Sequence, residues 1–182
     1  MNLIKTMIDG LVVLQPTIFK DHRGCFMESF HKKNINNLIG DVNFVQENES
    51  DSFRGVLRGL HFQKPPYAQA KLVRCLKGSV LDVALDLRKD SKTYGCFETT
   101  LLSQENKNQL FIPKGFAHGF VVLSKTSIFS YKVDNYYNPD SESGVLWNDP
   151  DLHIDWKINT KEIIVSEKDN NLPTFNNIVN PF

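Results

Sequence analysis

A chain of 182 residues with 41% hydrophobic and 11% aromatic side chains can bury a real core without disulfide staples. Its 21 basic and 21 acidic residues cancel, which removes the electrostatic basis for general binding to nucleic acid or an anionic membrane surface, so any anion must be recognised locally. The three cysteines are odd in number and form no CxxC pair, and no stretch nears the ~20 apolar residues of a membrane-spanning helix. Lys5 and Asp9 interrupt the first apolar run before a secretory leader can form. The expectation is a soluble cytoplasmic protein with a single domain over residues 1–182.

Taken in chain order, strands are expected over residues 12–15 and 26–30. A helix over 31–39 stops at Gly40. Residues 72–76 and 80–87 read as two strands joined in a hairpin around Lys77-Gly78. In the second, Leu81, Val83, Leu85 and Leu87 share one face, and Val80, Asp82, Ala84 and Asp86 share the other. Shorter strands follow over 97–102, 109–112, 119–123 and 128–131, each bounded by Gly, Pro, Asn or Ser. Many short strands at near-regular spacing predict an all-β fold, a jelly-roll barrel over about residues 10–140 whose inner face can hold a small ligand. Residues 150–182 are less regular and predict loops and short helical turns packed over the barrel.

The densest chemistry lies in Gly55-Val56-Leu57-Arg58-Gly59-Leu60-His61-Phe62-Gln63, with Lys71 eight residues further on. Neutral imidazole is a base near pH 7. An ammonium group can stabilise developing negative charge, and a guanidinium can grip phosphate with a planar fork of donors. Base, cation and anion clamp together suggest proton abstraction from a phosphorylated substrate. A Gly-rich hairpin with solvated charges is the plainer alternative.

A second candidate, Ile112-Pro113-Lys114-Gly115-Phe116-Ala117-His118-Gly119, bends sharply and then starts a strand at His118. It resembles the second motif of cupin jelly rolls, where the histidine is often a metal ligand. The first cupin motif supplies His-x-His and a downstream Glu. Here that place reads His61-Phe62-Gln63 with no Glu before Lys71, a poor ligand set, so no metal is expected. Tyr131 offers a phenol as general acid, or simply a packed ring. Arg23-Gly24 suits an anion contact, or a solvated turn. Gln46, Asn48 and Asp169 carry no independent meaning from spacing alone.

Taken together, residues 19–28, 45–48, 55–63, 69–73, 78–88, 112–120, 131–132 and 147–150 resemble, in order, the dTDP-4-dehydrorhamnose 3,5-epimerases, and the likeness runs from about residue 5 to 173. The resemblance implies a cupin-type jelly roll, usually a homodimer, that needs no cofactor or metal. It implies an isomerase that turns dTDP-4-dehydro-6-deoxy-D-glucose into dTDP-4-dehydro-L-rhamnose, a step toward cell-surface polysaccharide. By position, His61 matches the family's catalytic base and Asp169 the carboxylate that orients it. Lys71 matches the residue beside the sugar ketone, and Tyr131 the proton donor on the other face. Arg23 and Arg58 correspond to diphosphate contacts. Glu28, Gln46, Asn48, His118, Glu142 and Lys168 correspond to substrate or nucleotide contacts, and Tyr137 to a tyrosine stacked near thymine. Relatives that invert a single centre share the same four catalytic positions, so a single-centre epimerase or ketoisomerase on a related nucleotide-linked keto sugar is the alternative. A non-catalytic sugar-nucleotide-binding module and a metal cupin are the remaining readings.

Overall fold

The computed structural model describes residues 1–182. In chain order the strands are β1 (Asn2–Lys5), β2 (Val12–Gln15), β3 (Phe19–Asp21) and β4 (Gly24–Phe26), then helix α1 (Lys32–Ile39). There follow β5 (Gln46–Phe53), β6 (Leu57–Gln63), β7 (Lys71–Lys77), β8 (Ser79–Asp86), β9 (Phe97–Ser103), β10 (Gln109–Ile112), β11 (Phe116–Val122) and β12 (Thr126–Val133). The short β13 (Glu142–Gly144) and helix α2 (Glu167–Asn170) complete the set, with single 3-10 turns before, between and after them. A six-stranded sheet, β1-β2-β10-β7-β12-β5, faces a five-stranded sheet, β13-β6-β11-β8-β9. Every strand pairing in them is antiparallel. This is the all-β jelly-roll barrel of cupin type.

The two faces of β8 explain the packing. Val80 and Ala84 join Val73, Cys75 and Phe129 from the opposite sheet in an inter-sheet core. Leu81, Val83, Leu85 and Leu87 point outward, where Val145, Leu152 and Trp156 of the C-terminal segment cover them. Both faces are therefore buried. Phe120 of β11 stacks on Phe129 of β12 with ring centroids 4.1 Å apart, joining the sheets at the barrel's apolar end. A third cluster, Val12, Leu14, Ile35, Leu72 and Phe111, seats α1 on the outside of the six-stranded sheet. Each fully buried side chain of this size contributes about 1.5–3 kcal/mol.

Several expectations need correction. The turn at Lys77-Gly78 is no hairpin: β7 pairs with β10 and β12, whereas β8 pairs with β9 and β11. The chain changes sheets there. Gly78 has φ 74°, and a Cβ would stand 2.1 Å from the Thr126 carbonyl oxygen, so no other residue fits this corner. The strand expected over 26–30 ends at Phe26, because the next residues cross the outside of the sheet, where Gln109 Nε2 donates to the Ser29 carbonyl at 2.8 Å. The strand expected from 119 begins at Phe116, so His118 sits inside β11. The Gly-rich segment around His61 forms the strand β6. The helix is as expected, with His31 as its N-cap and Gly40 as its stop.

Candidate active site

Between the sheets runs a cleft of two connected lobes, about 590 Å³ and 300 Å³, which share His61, Lys71 and Tyr131. His61 projects from β6, while Lys71 and Tyr131 project from β7 and β12 on the facing sheet. The imidazole and the phenol therefore approach the cleft from opposite walls. Lys71 Nζ reaches across to the His61 carbonyl at 3.4 Å.

Asp169 comes from α2 in the C-terminal segment. It is 4% exposed, and its Oδ1 lies 2.7 Å from His61 Nε2. Its Oδ2 accepts from the Gly59 N–H at 3.0 Å, and its own N–H bonds to Ser166 Oγ, the cap of α2. Burial works to raise this carboxyl, but the His61 bond and the Gly59 amide outweigh it, so it lies below the usual range. An ionised carboxylate only accepts, so Nε2 must carry the proton and Nδ1 keeps its lone pair free.

His118 is the cross-strand partner of His61 and is bound through Nε2 to Asp82 Oδ2 at 2.9 Å. Burial pushes its imidazole down, against the pull of Asp82, so it is neutral at pH 7. Burial also pushes the Lys71 ammonium down, opposed by Asp82 and Glu142, to about 8. Burial raises the Tyr131 phenol, with Asn48 beside it acting the other way. At the rim, Glu142 Oε2 accepts from Tyr137 Oη at 2.7 Å and pairs with Lys168 Nζ at 2.5 Å. Gln46 and Asn48 line the smaller lobe, and Arg58 lines the larger one while its guanidinium donates to Ser52.

The cleft thus gathers His61, Lys71, Tyr131, Asp169, Gln46, Asn48, Arg58, His118, Tyr137, Glu142 and Lys168. Two expected contacts are not among them. Arg23 is exposed on the β3–β4 hairpin, where it pairs with Asp21 at 2.6 Å. Glu28 accepts from Asn34 Nδ2 of α1 at 2.9 Å. Within one copy of the chain these two residues lie outside the cleft, because the hairpin turns away from the barrel. No group of three or more His, Cys, Asp or Glu side chains is placed to hold a metal ion. Sequence reasoning passed over Asp82, Gly59 and Ser166 as parts of the site. The one available signal was Asp82, which with Asp86 places acids on one face of a strand that is apolar on the other.

A family model described as dTDP-4-dehydrorhamnose 3,5-epimerase matches residues 5–177. The dTDP-4-dehydrorhamnose 3,5-epimerase of Escherichia coli K12 is 49% identical over 180 residues, covering 98% of this chain and 97% of its own length. The crystal structure of the dTDP-4-dehydrorhamnose 3,5-epimerase from Elizabethkingia anophelis NUHP1 matches with a TM-score of 0.94 and 53% identity, over 98% of each chain. That of a dTDP-6-deoxy-D-glucose-3,5-epimerase from Legionella pneumophila, in complex with dTDP-4-keto-L-rhamnose, matches with a TM-score of 0.93 and 47% identity, over 97% of this chain and 94% of the other.

Proposed function

The chain belongs to the dTDP-4-dehydrorhamnose 3,5-epimerase family, and from that premise we propose that it inverts C3 and C5 of dTDP-4-dehydro-6-deoxy-D-glucose to give dTDP-4-dehydro-L-rhamnose. The C4 ketone acidifies the hydrogens at both neighbouring carbons. His61 Nδ1 takes one of them as a proton, and the electron pair moves to the C4 oxygen as an enolate. Asp169 supports the imidazolium that forms. The Lys71 ammonium stabilises the oxyanion in a site shielded from water. Tyr131 then gives a proton to the carbon from the other side, and the centre is inverted. His61 then gives its proton to solvent and the Tyr131 phenolate takes one back, so both are reset, and repetition at the second carbon completes the change. Each cycle removes a proton and returns one, so the reaction is redox-neutral.

The observation that carries this reading is the opposition of His61 and Tyr131 on facing walls of one cleft, with Lys71 reaching across from the Tyr131 wall to the His61 backbone. Arg58 suits the diphosphate, and Tyr137 with Gln46 and Asn48 suits the thymine. In D2O, deuterium should enter both C3 and C5 of the keto sugar, followed by NMR, and His61→Asn should abolish that exchange while dTDP still binds. Label at one carbon only would favour a single-centre epimerase. Exchange at the wild-type rate in the variant would remove His61 as the base.

The active unit in this reading is a homodimer. Phe19 and Phe26, 61% and 71% exposed, flank the hairpin that holds Arg23. A second copy accepting this hairpin would bury both rings and bring Arg23 and Glu28 to substrate. A monomer in sedimentation equilibrium would overturn it. No helix is long and apolar enough to cross a membrane, and a cytoplasmic place of action suits a sugar-nucleotide substrate.

A further inference from the structure

Asp82 stands in the middle of β8 on the face turned inward, between Val80 and Ala84, and none of it reaches solvent. One carboxylate oxygen accepts from His118 Nε2 at 2.9 Å, and the other, Oδ1, has no hydrogen-bond partner. A buried anion so sparsely satisfied is costly, and the reaction derived above gives it no task.

The charges around Lys71 indicate one. His61 on β6, His118 on β11 and Tyr131 on β12 line the larger lobe with it, Glu142 on β13 lines the smaller one, and Asp82 on β8 stands buried behind His118, bonded to it. β10, alongside β7, carries no titratable side chain. From β5, Glu49 stands at the cavity wall but is exposed, so solvent screens it. Glu47 of β5 is paired with Lys132. Glu142 is already matched by Lys168 and Tyr137. Asp169, behind His61, has both oxygens satisfied, one by that imidazole and one by the Gly59 amide, whereas Asp82 Oδ1 has no partner. His118 and Tyr131 are uncharged near neutral pH. Asp82 is left as the buried carboxylate acting on Lys71 that has no cation of its own.

We propose that Asp82 is a positioning residue that keeps Lys71 an ammonium inside the barrel and holds His118 with its Nδ1 lone pair turned to the sugar. The catalytic part of this rests on the reading of Lys71 as the enolate's counter-charge. Burial alone drives Lys71 toward the neutral amine, and Asp82 is the largest opposing influence, leaving it at about 8. It is then mostly protonated at pH 7. An oxyanion formed beside it meets a fixed positive charge rather than a neutral donor.

The test is an NMR titration of the 15Nζ signal of Lys71, assigned by its absence in Lys71→Met, in the wild type, Asp82→Asn and Glu142→Gln. In Asp82→Asn the Lys71 midpoint should fall by about one pH unit, the order of shift that losing a nearby opposite charge produces. In Glu142→Gln it should fall less. The alkaline limb of deuterium exchange should move down with the midpoint, so the variant loses more activity at pH 8 than at pH 6. An unmoved midpoint, a larger fall in Glu142→Gln, or equal loss at both pH values overturns the proposal. If Asp82→Asn alone fails to fold, the double variant with Lys71→Met decides. Folding regained supports the charge pair, and failure as complete as in the single variant overturns it. A wild type that exchanges no deuterium sinks the assigned reaction, while the Lys71 midpoint still decides the pairing.

Discussion

His61 and Asp169 are 108 positions apart in the chain and 2.7 Å apart in the fold. The same carboxylate also holds the Gly59 amide, two residues before His61 on the same strand. The base and its orienting group are therefore tied to one stretch of backbone, and their relative geometry does not depend on a mobile loop. An amide at 169 has one acceptor oxygen, so it keeps the Gly59 bond only by turning its NH2 toward His61 Nε2, which moves the ring proton to Nδ1 and removes the base, and it cannot support a positive imidazolium. Asp169→Asn should lower deuterium exchange by about 10²–10⁴-fold, the usual worth of positioned acid–base catalysis. Calorimetric dTDP binding should be unchanged. Exchange close to wild type would mean that His61 works without its carboxylate.

Tyr131 faces His61 from the other sheet, with Val73 and Asn48 as its cross-strand neighbours. Its phenol is needed when the proton is returned, not when it is removed. Tyr131→Phe should therefore impair formation of the inverted sugar more than solvent exchange, both read from the same NMR time course. Equal loss of the two would contradict this division between the walls.

Asp86 gives a pH prediction outside the cleft. It is fully buried at the end of β8, where Arg88, Ser91 and Thr93 all donate to it. Burial works to raise its carboxyl, and these bonds outweigh it, leaving it at about 2 against an ordinary 3.8. A depressed folded value means that the stabilisation is present above pH 3.8 and is lost as pH falls through 2. Its worth is on the order of 1–2 kcal/mol. In urea melts at pH 7, Asp86→Asn should be less stable than the wild type by about that amount. The gap should close as the pH is lowered toward 2. A gap constant from pH 7 to pH 2 would place the loss in packing instead.

The strands that pack apolar faces were legible from alternation, and β8 was read with both faces correct. β5 was not, because its inward residues Gln46, Asn48, Ser50 and Ser52 serve a polar interior and leave no apolar alternation to detect. The corner at Gly78 looked like a hairpin since local sequence does not say which sheet the next strand joins. Motif resemblance singled out Asp169, which spacing could not, because its partner is reached only by folding the C-terminal segment back over β6. Arg23 and Glu28 matched their motif equally well, yet a single chain leaves them outside the cleft. Motif identity alone does not place a side chain in the cleft.

Gly59 joins the two histidines. Its φ is 124°, a region that side-chain-bearing residues rarely adopt, and a Cβ there would stand 2.5 Å from Gly119 Cα and 2.8 Å from the His118 carbonyl oxygen. These are backbone atoms of β11 and cannot rotate away. Gly119 is equally tight against the Arg58 carbonyl, so β6 and β11 approach at a glycine-to-glycine contact. His61 and His118 face each other across this pair of strands, and the Gly59 amide also holds Asp169. Gly59→Ala must separate the strands, loosening the His61–Asp169 contact and the His118 position together. Urea melts should show a loss of about 1–3 kcal/mol from the strained backbone. The protein that remains folded should exchange deuterium more slowly than the loss of folded fraction explains. A variant that melts and exchanges like the wild type would show that the dyad is fixed by something other than this strand contact.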